Sequence, residues 1–130
     1  MQNKTKTKVL IVGGGFGGIK AALILSKNDN FEVRLISASK ELVYYPTLYQ
    51  LATGFKQSNS IIAIEKLFTN GRVKVIEDYI ISLDRKAKTV SSKDNVYTYD
   101  TLILTLGVVT NYFGITGVEQ NSYYKGILGT

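Results

Sequence analysis

The sequence predicts an α/β fold, a parallel sheet with flanking helices plus a small antiparallel β-meander, on three observations. An apolar run at 8–12 meets a glycine cluster in "KVLIVGGGFGG". Beyond the glycines, apolar residues recur at helical spacing. Two later runs read as strands: "FEVRLIS" at 31–37 alternates and then ends apolar, and "TLILTLG" at 101–107 has the continuous apolar pattern of a buried parallel strand. At 130 residues the chain has room for about one domain and one core.

The elements follow in order. Residues 8–12 read as a short buried strand. From about Phe16 to Lys27, the residues Ile19, Ala22, Leu23 and Ser26 share one helical face, and Ile24 and Leu25 widen it, which predicts a helix buried over much of its girth. "NDN" at 28–30 ends that helix, and 31–37 forms the second strand of a βαβ-type unit. "QSNSIIAIEKLFTNG" predicts a second helix, with Ser58 or Ser60 as N-cap, apolar residues at 61, 64, 67 and 68, and Gly71 as its stop. Runs at roughly 72–83, 87–91 and 95–99, joined by "DRK" and "KDN", suit the meander. "TLILTLG" returns to the pattern of a buried parallel strand, and from 108 onward no period is sustained, as in an extended surface segment. There is no internal repeat, and the sole proline, Pro46, falls in a loop.

Composition narrows the function classes. Sixteen Lys and Arg against ten acidic residues give a net charge of +6 and a pI near 9.5, which favours anionic partners. "KTKTK" at 4–8 is the one clear cationic run, and without a basic helix or a basic stripe with interleaved aromatics, nucleic acid is not an expected partner. The chain has no cysteine and no histidine. That excludes thiol–disulfide chemistry, a zinc–thiolate site, a cysteine nucleophile and histidine acid/base catalysis within it. Basic residues precede "VLIV", but glycines and Lys20 interrupt the apolar run and no small-residue cleavage site follows, so a cytoplasmic location is expected. No stretch approaches the ~20 apolar residues of a membrane span, so any membrane contact is expected to be peripheral.

The glycines have the G-x-G-x-x-G pattern at Gly13, Gly15 and Gly18. In that pattern the first glycine permits the tight turn, the second admits a pyrophosphate to the backbone, and the third lets helix and strand pack closely. The anion then meets N–H groups at the positive end of the helix dipole, here those of Phe16, Gly17 and Gly18. A close helix–strand crossing without ligand accounts for Gly18, but not for Gly13 to Gly15 together. The strand before, the helix after and the second strand at the right distance favour a dinucleotide site. Ser37 lies 19 residues after Gly18, where such a site offers an acid to a ribose hydroxyl. Losing a charged acceptor removes about 1.5–3 kcal/mol, so Ser37→Asp or Ser37→Glu is expected to tighten binding.

Four linked stretches resemble the N-terminal, FAD-binding part of type II NADH dehydrogenases, in the two-dinucleotide-binding-domain flavoprotein superfamily. They are "VLIVGGGFGGIKAALIL", "LVYYPTLYQLATG" at 42–54, "VIEDYIISLDRKAKTV" at 75–90 and "YDTLILTLGVVTNYFGITGVEQN" at 99–121. The resemblance implies that Gly13, Gly15, Phe16, Gly17 and Gly18 cradle the FAD pyrophosphate, and that Ser37 and Ala38 lie by the adenosine ribose. Tyr79 and Ile80 would meet the adenine through their backbone. Thr105, Leu106 and Gly107 would pass the cofactor's centre, and Pro46 and Thr47 would approach the flavin. As alternatives, Leu106 is equally a core residue and Tyr79 equally a surface aromatic of the meander.

The sequence departs from the family pattern at Ser37, and at Thr105 and Thr116, where alanine and proline are commoner. The second glycine motif for NADH and the family's C-terminal membrane-associating region have no counterpart in it. Residues 1–130 therefore read as an incomplete FAD-binding domain, inactive alone, of an enzyme that passes hydride from NADH to FAD and electrons to quinone. Expected partners are FAD and either the remainder of such an enzyme or a second copy of the chain. The alternatives are a non-catalytic nucleotide-binding module, half of a two-chain flavoprotein, or part of a sulfide:quinone oxidoreductase-like flavoenzyme. Disulfide reductases fit poorly, because "ELVYYPTLYQ" lacks their cysteine pair.

Overall fold

The computed structural model describes residues 5–44, 46, 53–54, 61–69, 71–109 and 111–121. The chain runs β1 (Thr7–Val12), α1 (Phe16–Leu25), β2 (Phe31–Ser37), β3 (Glu41–Val43), β4 (Ile61–Ala63), a 3-10 turn (Ile64–Leu67) and β5 (Val73–Glu77). It continues with β6 (Ser82–Asp84), β7 (Thr89–Ser91), β8 (Val96–Thr98), β9 (Thr101–Leu104) and a short α2 (Val118–Asn121).

The central sheet has four parallel strands in the order β5-β2-β1-β9. Side chains alternate between its faces, and the apolar ones form two clusters. Val9, Ile11, Val33, Leu35 and Val73 face α1, where Ile19 and Ala22 meet them together with Ile64 and Phe68. Leu10 and Ile36 face the other way, onto Val90 of the meander, with Ile76, Tyr97 and Leu102 around them. Leu10, Ile11, Leu35 and Ile36 are all fully buried, and each such side chain contributes about 1.5–3 kcal/mol of transfer free energy. This double coverage explains why β1 reads as continuously apolar. At the N-terminal edge β1 and β9 are tied by two bonds, Lys8 N–H to Asp100 Oδ2 at 2.7 Å and Asp100 N–H to the Lys8 carbonyl at 2.9 Å.

The parallel sheet, the glycine turn and the antiparallel meander β6-β7-β8 agree with the sequence-based expectation. Three expectations are corrected. The second helix is absent from the described residues: Ile61–Ala63 pairs antiparallel with Glu41–Val43, and only one 3-10 turn follows. The β-branched Ile61 and Ile62 suit a strand better than a helix, and Ser58 and Ser60 lie outside the described residues. The run at 72–83 divides, its first part being β5 of the parallel sheet and its last the first meander strand. Finally, α1 is covered on one side, leaving Leu23 and Ile24 exposed, because among the described residues the sheet is its main packing partner. It is also the one described helix that flanks the sheet.

Candidate functional site

The chain runs outward from β1 to β2 and β5, then returns to place β9 on the other side of β1. The order therefore reverses at β1, and in open α/β sheets ligands bind beyond the carboxyl ends of strands at such a point. The glycine turn occupies that position. Gly13 leaves β1 with its N–H bonded to the Ile36 carbonyl at 2.8 Å, and Thr105 leaves β9 with its N–H on the Val12 carbonyl at 2.8 Å. The Thr105 hydroxyl is placed between the carbonyls of Val12 (3.2 Å) and Gly13 (3.0 Å).

Steric room differs from glycine to glycine. A Cβ on Gly13, at φ +116°, would lie 2.1 Å from the Thr105 carbonyl oxygen, and one on Gly18 would lie 1.9 Å from the Gly13 carbonyl oxygen. A Cβ on Gly14 would lie 2.2 Å from Ser37 Oγ. Gly17 has ordinary contact distance to Thr105 Cγ2, 3.4 Å, and Gly15 has nothing within 4 Å. Gly13, Gly14 and Gly18 are thus required by packing, whereas the bare backbone at Gly15 opens outward. Gly15 is the N-cap of α1 without a side-chain cap, and the first turn carries no acidic residue. The N–H groups of Phe16, Gly17 and Gly18 have no intrahelical acceptor there. They converge on a positive helix end suited to an anion.

The remaining predicted site residues differ in exposure and bonding. Phe16 is half exposed and lies edge-on to Tyr44, ring centroids 5.9 Å apart. Ser37 is buried, its Oγ accepting the Ser39 N–H at 3.3 Å and its carbonyl the Asp78 N–H at 3.0 Å. Ala38 is exposed beside it, as is Pro46, while Thr47 lies outside the described residues. Tyr79 is exposed, its N–H bonded to Asp78 Oδ1 at 2.8 Å, and Ile80 packs with Leu10, Ile36 and Val90. Leu106 is exposed rather than part of the core, and Gly107 has φ +74°.

Sequence reasoning missed a polar cluster on the meander side. Asp78 Oδ2 accepts from the Tyr97 hydroxyl at 2.5 Å and from Asn95 Nδ2 at 3.1 Å. The Tyr97 bond, then those from Ser92, Asn95 and the Tyr79 N–H, hold the Asp78 carboxyl down to about 2 against the opposing effect of burial. Burial first, then the Asp78 bond and charge, raise the Tyr97 phenol to about 12. No local sequence signal joins 78 to 95 and 97. Only the meander's return brings them together. Also missed was the pair Lys40 Nζ–Glu77 Oε2, 3.1 Å apart on the rim beyond Ser37.

A glycine turn at the reversal point of a β5-β2-β1-β9 parallel sheet defines a Rossmann-like domain. The chain belongs to the pyridine nucleotide-disulphide oxidoreductase family, whose model matches residues 7–128. Members of this family typically bind FAD. Over 113 residues it is 36% identical to a type II NADH:quinone oxidoreductase, NdhA, of Mycobacterium tuberculosis, covering 82% of this chain and 24% of that protein. A type II NADH:quinone oxidoreductase of Staphylococcus haemolyticus is 29% identical over 122 residues, 91% of this chain and 30% of its own length. Among solved structures, NDH2 from Plasmodium falciparum superposes with a TM-score of 0.78 at 27% identity, covering 91% of this chain and 26% of that one. The sulfide:quinone oxidoreductase of Aquifex aeolicus shares the fold, with a TM-score of 0.71 at 24% identity over 82% of this chain and 25% of its own. The chain thus spans under a third of the length of these relatives. Among the described residues no helix is long and apolar enough to cross a membrane.

Proposed function

We propose that the chain is the FAD-binding portion of an NADH:quinone oxidoreductase-like flavoenzyme. The observation that carries this reading is the division of labour in the glycine turn, packed shut at Gly13, Gly14 and Gly18 and open at Gly15 above the first N–H groups of α1. Such a cradle fits a pyrophosphate. In this reading Gly15, Phe16, Gly17 and Gly18 hold the pyrophosphate by backbone donors, and Gly13 with Thr105 fixes the turn's shape. Ser37 and Ala38 border the adenosine ribose, Tyr79 and Ile80 the adenine, and Pro46 and Thr47 the flavin end. Leu106 and Gly107 follow the cofactor's centre. When bound, FAD supplies the two-electron redox chemistry, and the protein's part is binding and orientation.

NADH oxidation and quinone reduction are assigned to the complete enzyme rather than to this portion. Exposed apolar residues support completion by further polypeptide, either the rest of such an enzyme or a partner chain: Leu106, Val108, Val109 and Phe113 all face solvent. A cytoplasmic protein with peripheral contact at the inner membrane face belongs to the same proposal. The net charge of +6 suits anionic headgroups.

Titration of the purified 130-residue chain with FAD tests the reading by flavin fluorescence and absorbance. Saturable binding is expected, and a folded chain indifferent to millimolar FAD would refute it. Added NADH is expected not to bleach the bound flavin. Bleaching would place a nicotinamide site within these residues.

A further inference from the structure

We propose that Glu77 supplies the carboxylate that Ser37 lacks and so reads the adenosine ribose hydroxyls of the bound dinucleotide, an inference that rests on the FAD-binding reading above. Ser37 and Glu77 are paired positions at the carboxyl ends of the adjacent parallel strands β2 and β5. Paired residues project to the same face of a sheet while successive ones alternate. Glu77 therefore shares the face of Ser37, whose hydroxyl lies against Gly14 of the phosphate turn.

Asp78, the next residue, is sent to the other face, where Tyr97, Asn95 and the Tyr79 N–H occupy its oxygens. Glu32 is engaged by Arg34 within β2, away from the rim. Of the acids on the strands of the parallel sheet, Glu77 is the one that ends on the turn's side with an exposed carboxylate.

Ser37 is poorly placed for the same task. It is buried, and its hydroxyl already accepts the Ser39 N–H. Parallel strands lie ~4.8 Å apart, and a glutamate carries its carboxylate one methylene further than an aspartate would. The longer side chain on the neighbouring strand recovers part of that spacing. The partner of Glu77 among the described residues is Lys40, and both side chains are about half or more exposed, at 46% and 68%. An exposed ion pair of this kind is weak, and a carboxylate has about four lone-pair sites. Glu77 can keep Lys40 and still accept from a ribose diol.

The test titrates the 130-residue chain and its Glu77→Gln, Lys40→Met, Ser37→Asp and Ser37→Asp/Glu77→Gln variants with FAD, ADP and 2′-deoxy-ADP. Glu77→Gln is expected to weaken FAD roughly ten- to 150-fold, the worth of a charged hydrogen bond, and Lys40→Met less than about fivefold. The preference for ADP over 2′-deoxy-ADP should shrink in Glu77→Gln, a coupling that a merely structural glutamate would not show. Ser37→Asp should tighten FAD more in the Glu77→Gln background than in the wild type, where two carboxylates would face each other across one strand spacing. Wild-type affinity in Glu77→Gln, an undiminished deoxy effect there, or an equal loss in Lys40→Met overturns the inference while leaving the FAD reading intact. A folded wild-type chain that binds none of the three ligands overturns both.

Discussion

On the α1 face of the sheet, the carboxyl edge is built by removing side chains: Gly13, Gly14 and Gly18 let β1, α1 and Ser37 close on one another, and Gly15 leaves the helix end bare. On the opposite face the same edge is built by adding them. There Asp78, Tyr97, Asn95 and Ser92 engage one another and draw the meander onto the end of β5. The first arrangement leaves N–H donors for a ligand, and the second consumes its donors internally. At the end of β5 the alternation of side chains sends Glu77 to the first face with an exposed carboxylate and Asp78 to the second, where Tyr97 and Asn95 engage it.

The sharpest way to break the contrast is to put a methyl group where packing forbids it. Gly13→Ala and Gly18→Ala should each destabilise the chain by roughly 2–4 kcal/mol in denaturant unfolding and abolish FAD binding with it, since the new Cβ meets backbone oxygen at 2.1 Å or 1.9 Å. Gly15→Ala makes the complementary cut. Its φ of −80° accepts an L-residue and nothing lies within 4 Å, so stability should change by about 1 kcal/mol or less, while FAD affinity falls at least tenfold. Equal losses of fold and affinity at all three glycines would erase the distinction between packing and binding roles.

The smallest effect belongs to the meander face and is read through pH. Asp78 is depressed in the folded state, so the stabilisation it brings is complete above the ordinary carboxylate value of 3.8 and disappears as pH falls toward about 2. Tyr97 is raised, so its contribution is complete below about 10 and is lost as pH climbs through about 12. In Tyr97→Phe the Asp78 carboxyl, followed by NMR, should titrate closer to the ordinary value, and FAD affinity at neutral pH should stay within about threefold. A large loss of affinity there would mean that the two faces are coupled through the Ser37–Asp78 backbone bond.

Much of this was legible in the sequence. The run Val9 to Val12, the glycine cluster, the helical spacing that opens at Phe16 and the strand at 31–37 each follow a local rule, and the structure has all of them. The failures share a cause. "SIIAIEKLF" has apolar spacing compatible with a helix, but Ile61 and Ile62 find β3 as a partner from some twenty residues away, and no local period can announce such pairing. The run at 72–83 looked uniform because the parallel strand and the meander strand use the same β-rich vocabulary. Within the site, Gly13, Gly15 and Gly18 could be named from spacing alone. That Gly14 is held by Ser37, and that Leu106 is exposed, could not.

Local chemistry is written in the residues themselves: a strand that must be covered on both faces, a turn that only glycine tolerates, and a helix end without acid to repel an anion. Which of these groups remain free was set by how the strands pair. Register set Glu77 beside Ser37 and turned Asp78 away, and the return of the meander gave Asp78 its donors. Side-chain period is a property of one strand, whereas partnership is a property of two, so the availability of a polar group is fixed only when the strands pair.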